Sequence, residues 1–161
     1  MRVLAIDPGY DRMGLAVIEK KSNKEILVYS SCLITDRQKD FGDRLLLVGK
    51  EVAETIKKFQ PEAMAIESLF MEKNQKTGMR VSEARGVILY EAAKNRVPVM
   101  EFTPLQVKSA VTGDGRSDKT RIARMLPLLI TLPKKKMLDD EMDAVALGLT
   151  FFAYGGLSKP R

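Results

Sequence analysis

Two short apolar runs, each ending on an acid, constrain the fold of this chain more than any other feature. The runs are VLAID at residues 3–7 and AMAIE at residues 63–67, and their last residues are Asp7 and Glu67. Uninterrupted apolar runs of this length are typical of strands that are buried on both faces of a sheet. If the two strands are parallel neighbours, both acids lie at the carboxyl edge of the sheet, where open α/β sheets bind ligands. For either acid alone, the alternative is a strand-end side chain that turns to solvent.

The order of the remaining segments predicts an α/β fold with a mixed sheet. Further strands are expected over residues 14–19, 26–34 and 97–102, and helices over residues 43–59, 76–94, 104–111, 119–129 and 139–154. Three successive strands followed by alternating helices and strands indicate a five-stranded sheet flanked by helices. On the first helix, the apolar period places Leu46, Leu47, Val52 and Ile56 on the buried side. With 161 residues and no repeat or linker, we expect one domain over residues 1–156 and a flexible tail over 157–161.

The composition excludes several classes of catalytic site. The chain has no histidine, which removes Ser-His-Asp and Cys-His catalysis and every histidine metal site. The single cysteine, Cys32, excludes an internal disulfide and gives no metal-binding spacing. The net charge of +6 favours a polyanionic partner. Catalytic chemistry would therefore fall to carboxylates and lysines.

No segment of the sequence has the pattern of a targeting signal or a membrane span. Arg2 and Asp7 leave no apolar core for a signal peptide at the amino terminus. The longest apolar stretch, residues 144–157, is too short and too interrupted by glycine to span a bilayer. We therefore expect a cytoplasmic protein with no membrane partner.

The last predicted helix carries more acids over its buried side. In the segment DDEMDAVALG, Asp140 and Asp143 are three residues apart and share a helix face with the apolar residue Leu147. One alternative is a pair that caps the start of the helix. Another is that Asp139 and Asp143, four residues apart, form the relevant pair. The residues alone leave these alternatives open.

Four converging carboxylates would have a clear chemical use. Such a cluster repels itself, and its pKa values rise unless cations lie among the acids. Mg²⁺ prefers oxygen ligands of this type, and two ions about 4 Å apart activate a water and stabilise the leaving oxygen in phosphodiester cleavage. In a basic protein without histidine, the pattern points to metal-dependent hydrolysis of nucleic acid.

Five motifs, in order along the chain, resemble those of the RuvC family of Holliday-junction resolvases. They are IDPG at 6–9, AIESLFMEKN at 65–74, EARG at 83–86, PLQVK at 104–108 and DEMDAVALG at 140–148. The resemblance extends from residue 1 to about residue 154 and implies an RNase H-like fold. It also implies a homodimer that makes paired symmetric nicks in two opposing strands of a four-way DNA junction, in DNA recombination and repair. The implied cofactor is Mg²⁺, two ions per active site with Mn²⁺ able to substitute, and a branch-migration motor complex is an implied partner.

The resemblance also implies roles for individual residues. Asp7, Glu67, Asp140 and Asp143 fall on the four catalytic carboxylates of the family, which favours Asp140 over Asp139. Some members have a histidine where Asp143 stands, and other members share the aspartate. Phe70 matches an aromatic residue that contacts bases near the crossover. The lysines that match those near the cleaved phosphate are Lys108 and Lys119, with catalytic and DNA-binding roles.

Further basic residues surround the predicted site and are candidates for phosphate contacts. They include Lys76, Arg80 and Arg116, and for each the alternative is a solvated surface charge. The loop TGDGRSDKT is not a P-loop, because Asp118 stands where the glycine before the lysine is required. The lysine run at 134–136 has no assigned role and is consistent with a solvated connector.

Three alternatives to a junction resolvase remain. An ATPase or sugar kinase of the actin-like class also begins its phosphate-binding hairpin with an aspartate and glycine, like Asp7 and Gly9. Such enzymes need a second lobe to close over the nucleotide, and 161 residues would not provide one. A non-catalytic nucleic-acid-binding protein would have no use for four acids that repel phosphate. A nuclease of the same fold acting on other branched DNA or RNA also remains open.

Overall fold

The computed structural model describes residues 1–69 and 75–156, and at residues 75–77 it describes the backbone alone. The strands are β1 (Arg2–Asp7), β2 (Arg12–Lys21), β3 (Lys24–Ile34), β4 (Ala63–Glu67) and β5 (Val99–Phe102). The helices are α1 (Phe41–Phe59), α2 (Gln75–Lys94), α3 (Pro104–Thr112), α4 (Lys119–Leu129) and α5 (Asp139–Ala153).

The sheet brings the two acid-ended strands together. Its order is β3-β2-β1-β4-β5. Strand β2 is antiparallel to both β1 and β3, and β4 is parallel to both β1 and β5. Ile6 of β1 pairs with Ile66 of β4, so the next residues, Asp7 and Glu67, lie at the same edge. The predicted parallel pairing of these strands is therefore confirmed. We call this edge, where β1 and β4 end, the carboxyl edge.

Helices cover both faces of the sheet. On one face, Leu4 and Ile6 of β1 pack in a cluster with residues of α1 and α2. On the other face, Val3 and Ala5 pack with residues of α3, α4 and α5. All four of these β1 side chains are fully buried, as the uninterrupted apolar run requires.

The buried face of the first helix agrees only in part with the sequence prediction. Leu46 was expected on the buried side but is 70% exposed, and that prediction is wrong. Val52 and Ile56 are buried as predicted, and the buried side also carries Val48 and Arg44, whose guanidinium finds polar partners beneath the helix. The apolar pattern of the helix cannot predict the burial of Arg44, because its partners, Tyr10 and Thr35, lie outside the helix.

The hairpin between β2 and β3 is tighter than expected. Its strands extend to Lys21 and Lys24, and the two residues between them, Ser22 and Asn23, have φ values of 47° and 60°. Two central residues with positive φ are characteristic of the two-residue turns that match the twist of paired strands.

Among the helices in the described part of the chain, none has the length and apolar character needed to cross a lipid bilayer.

Candidate active site

Side chains from five elements meet at the carboxyl edge. Asp7 and Glu67 come from the ends of β1 and β4, Lys108 from α3, Lys119 from the first turn of α4, and Asp143 from α5. They line a pocket of about 220 Å³, whose apolar wall is formed by Pro104, Val107 and Ile122. The structure thus brings together three of the four predicted carboxylates and both predicted lysines.

A glycine lets α5 approach this edge. Gly14 of β2 pairs with Asp7, and the carbonyl group of Asp140 lies directly over it. A Cβ atom at Gly14 would stand only 1.8 Å from that carbonyl oxygen. The missing side chain therefore allows the first turn of α5, which carries Asp140 and Asp143, to lie beside Asp7.

Burial and neighbouring acids disfavour ionisation of the carboxyl groups in the pocket. Burial raises the pKa of Asp7 to about 8, and the neighbouring charges of Glu67, Asp143 and Asp140 add to the effect, which Lys119 partly opposes. Burial and the charge of Asp143 also raise the pKa of Glu67, against the opposing charges of Lys119 and Lys108. Additional positive charge in this pocket would favour the ionised carboxylates.

Lys119 is held by one of the acids. Its Nζ donates a hydrogen bond of 2.7 Å to Oδ2 of Asp143, and this bond raises the pKa of the lysine. The helix start that carries Lys119 is fixed by Asp118, whose side chain accepts a hydrogen bond from the backbone N–H of Arg121. Because Lys119 is 75% exposed, it remains accessible to a ligand that enters the pocket.

Asp140 has a different neighbour. Its Oδ2 is paired with the guanidinium of Arg12, which also donates a hydrogen bond to Cys32. Asp140 does not line the pocket with the other three acids, although its charge acts on Asp7. In residues 1–69 and 75–156, no three acidic or cysteine side chains are placed to bind one metal ion together.

An ion pair between a buried acid and a half-exposed lysine secures the start of α5. Glu141 is 3% exposed, and its Oε1 lies 2.8 Å from Nζ of Lys135, which also donates to the carbonyl of Ser30 in β3. Burial opposes ionisation of Glu141, but hydrogen bonds from Lys135 and Ser30 hold its pKa below the usual value. One lysine of the run at 134–136 thus ties the α4–α5 connection to the sheet.

The predicted DNA-binding residues outside the pocket have different environments. Arg80 is exposed and lies over the rings of Tyr10 and Phe41, at the carboxyl edge. Arg116 is exposed in the turn before α4 and does not line the pocket. Phe70 and the side chain of Lys76 lie outside the described residues.

The sequence interpretation missed several residues around the site. Arg12 and Gly14 are contributed by β2, Glu141 and Lys135 form an ion pair, and Tyr10 and Phe41 lie beneath Arg80. A signal existed for Arg12 and Gly14, because the antiparallel return of β2 brings its first residues back to the edge where Asp7 lies. The contacts of Arg80 with Tyr10 and Phe41 join segments that are distant in sequence.

Comparison with known proteins identifies relatives across almost the whole chain. The family model described as "Crossover junction endodeoxyribonuclease RuvC" matches residues 3–151. The protein of that name from Thermosipho melanesiensis is 42% identical over 147 residues, covering 91% of this chain and 94% of the relative. The one from Petrotoga mobilis is 40% identical over 159 residues, covering 99% and 96%.

Solved structures give the same relationship. "T. thermophilus RuvC in complex with Holliday junction substrate" is 32% identical, with a TM-score of 0.88 over 96% of this chain and 94% of that chain. The yeast mitochondrial resolvase Ydc2 is 16% identical with a TM-score of 0.68, over 94% of this chain and 78% of that chain, and shares the fold. The predicted RNase H-like fold is thereby confirmed, and the chain belongs to the RuvC family of crossover junction endodeoxyribonucleases.

Proposed function

We infer that this protein is a structure-specific endonuclease that resolves four-way (Holliday) DNA junctions in DNA recombination and repair. The observation that carries the inference is the convergence of Asp7, Glu67 and Asp143 with Lys108 and Lys119 in one pocket. The curated relatives named crossover junction endodeoxyribonucleases, and the Thermus relative solved with a Holliday junction substrate, support the same conclusion. Membership of a family of nucleases argues against the actin-like and non-catalytic alternatives.

We propose that cleavage depends on Mg²⁺, with two ions per site and Mn²⁺ able to replace it. The donor set fits, since it offers only carboxylate oxygens and since burial, together with neighbouring acids, raises the pKa values of Asp7 and Glu67. Asp7, Glu67, Asp140 and Asp143 would hold the ions. When bound, the ions would supply an activated water and stabilise the leaving oxygen. For Asp140, metal binding has to compete with its pairing to Arg12.

The two lysines are proposed to bind and orient the phosphate that is cut. Lys108 and Lys119 are cations on the pocket wall, and a phosphate there would make charge-assisted hydrogen bonds with them. Lys119 would exchange its partner Asp143 for the phosphate, which leaves that carboxylate available as a metal ligand. Lys119 thus neutralises Asp143 before the substrate arrives.

Paired cuts in two strands require two active sites, and we propose a homodimer that joins through α2. Met79 and Tyr90 are 60% and 63% exposed, and they flank Gly86 on one side of the helix. A Cβ at Gly86 would have no heavy atom within 4 Å. A glycine at an exposed position inside a helix costs about 1 kcal/mol relative to alanine. A close approach by a second helix would explain why Gly86 is present.

The remaining proposals concern DNA and other partners. Phe70 is proposed to stack on a base near the crossover, and Lys76, Arg80 and Arg116 to contact phosphates. Residues 1–156 are proposed as the nuclease domain, acting in the cytoplasm. A branch-migration motor complex is proposed as a partner, from the family resemblance.

The proposed function can be tested with a labelled four-way junction and a linear duplex of matched sequence. We expect the wild-type protein to cut the junction but not the duplex, and to do so in Mg²⁺ but not in chelator. Asp7→Asn should bind the junction with unchanged affinity and cut it at least about 100-fold more slowly. Binding without cleavage by the wild-type protein, in Mg²⁺ and in Mn²⁺, would overturn the proposal.

A further inference from the structure

A pair of aromatic rings lies beside the active site, at the carboxyl edge. Tyr10 follows Asp7 by three residues in the β1–β2 loop, and Phe41 is the first residue of α1. Their ring centroids are 5.6 Å apart with the planes at 78° to each other. We call these two residues the aromatic platform.

The platform carries Arg80. The guanidinium carbon of Arg80 lies 4.9 Å from the ring centroid of Phe41 and 5.9 Å from that of Tyr10. In the described part of the chain, no acidic side chain forms an ion pair with Arg80, which is exposed. Its charge is therefore held against apolar rings and remains available to an external anion.

The platform is fixed from beneath. The buried guanidinium of Arg44 lies 4.9 Å from the Tyr10 ring centroid, donates hydrogen bonds to the Tyr10 carbonyl and to Thr35 Oγ1, and pairs with Asp11. The hydroxyl of Thr35 donates to the same Tyr10 carbonyl at 2.5 Å. These bonds connect the β1–β2 loop to α1, so Tyr10 and Phe41 form one supported surface.

The platform and the pocket lysines flank the carboxyl edge from opposite sides. Lys108 and Lys119 belong to α3 and α4, which pack on one face of the sheet, whereas Phe41 and Arg80 belong to α1 and α2 on the other. A DNA strand that crosses this edge would meet cations from both faces of the sheet.

We propose that the aromatic platform orients Arg80 to bind a backbone phosphate of the junction next to the one that is cut; this inference rests on the proposed function. A planar guanidinium that stacks on aromatic rings keeps its N–H groups free at the edge, where they bind phosphate oxygens in a bidentate way. Tyr10 and Phe41 act as positioning residues, and Arg80 makes the contact. The strand is then held at the phosphate that is cut and at a neighbouring phosphate.

A double-mutant cycle tests the proposal, with affinity for a synthetic four-way junction measured in chelator so that cleavage does not interfere. We expect Arg80→Ala to weaken binding and to lower the slope of log Kd against log salt by about one per protomer. Phe41→Leu should weaken binding about two- to fivefold, the strength expected for an exposed cation–π contact. The double variant should bind no more weakly than Arg80→Ala alone.

The chain offers a matched control on the same helix. Phe59, the last residue of α1, is half-buried like Phe41 and lies under Lys58, with 5.0 Å between Nζ and the ring centroid. Phe59→Leu should therefore lower stability to a similar degree but leave junction affinity and the salt slope unchanged. Arg80→Lys, which keeps the charge and loses the planar stack, should fall between wild type and Arg80→Ala. Tyr10→Leu repeats the cycle if Phe41→Leu fails to fold.

The outcomes separate the two levels of inference. If the wild-type protein cuts junctions but the effects of Phe41→Leu and Arg80→Ala simply add, the platform does not act through Arg80 and the proposal is overturned. The same holds if Arg80→Ala leaves affinity and salt slope unchanged. If the wild-type protein neither prefers nor cuts the junction, the proposed function itself fails.

Discussion

The carbonyl group of Asp140 lies directly over Gly14, where a Cβ atom would stand 1.8 Å from the oxygen. This contact sets the distance between α5 and the sheet, and therefore the position of Asp140 and Asp143 relative to Asp7. It connects a small residue in β2 to the geometry of the pocket.

We expect Gly14→Ala to displace the first turn of α5. Overpacking of this kind costs about 1–3 kcal/mol of stability, and a shift near 1 Å at a reacting site lowers rates about 100-fold. Junction cleavage and thermal melting measure the two effects. Gly42→Ala is the matched control, since a Cβ there meets nothing within 4 Å. Full activity in Gly14→Ala would show that α5 does not depend on this contact.

The pKa of Asp7 predicts a pH dependence of stability. Because folding raises this pKa from 3.8 to about 8, the folded state favours the protonated form. The resulting stabilisation is fully present below about pH 4 and is lost as pH rises towards 8. In chelator, the wild-type protein should lose melting temperature over this range relative to Asp7→Asn.

Metal should reverse this trend, because only the ionised carboxylate binds the ion. The rise in melting temperature produced by Mg²⁺ should therefore increase between about pH 6 and pH 8, and Asp7→Asn should show a smaller rise. An Mg²⁺ effect that is equal in both proteins at every pH would contradict the placement of the ion at Asp7.

The exposed pair of Lys119 and Asp143 should matter to activity more than to stability. Lys119 is 75% exposed, so Lys119→Ala should change the free energy of unfolding by less than about 1 kcal/mol. Cleavage should fall about 100-fold, the loss expected when a donor to the reacting phosphate is removed. Arg121 lies on the same helix as Lys119 and forms an exposed pair with Asp114, which precedes the helix. Arg121→Ala is therefore the control and should cut normally.

The ion pair of the buried Glu141 with the half-exposed Lys135 should matter to stability. Lys135→Met leaves the carboxylate of Glu141 buried without its cation, and we expect a loss of about 1–2 kcal/mol. Lys134→Met and Lys136→Met change neighbouring exposed lysines of the same run and should have little effect. Chemical denaturation compares the three variants, and equal losses in all three would contradict the specific role of Lys135.

The sequence predicted those parts of the site that depend on strand pattern. Asp7 and Glu67 could be placed at one edge because each ends an uninterrupted apolar run, and parallel pairing carries both ends to the same place. The ordered motifs then identified the family, and the choice of Asp140 over Asp139 came from that resemblance, because helix spacing allows either.

The parts that sequence reasoning missed depend on tertiary contacts outside the element that carries each residue. Arg44 is buried and Leu46 exposed because the polar partners of Arg44 are in the β1–β2 loop and at Thr35. The pairing of Asp140 with Arg12, and of Glu141 with Lys135, likewise requires knowledge of which loop lies against α5. The predicted role of Phe70 and the predicted tail at 157–161 lie outside the described residues and stay predictions.

The most direct test of paired cleavage uses a supercoiled plasmid that extrudes a cruciform from an inverted repeat. A single nick releases the supercoiling, and the cruciform is then reabsorbed before a second, independent event can occur. If two active sites of one dimer cut opposing strands, the product in Mg²⁺ will be linear plasmid with ends that map to symmetric positions across the junction. Accumulation of nicked circles with no linear product would contradict resolution by paired cleavage.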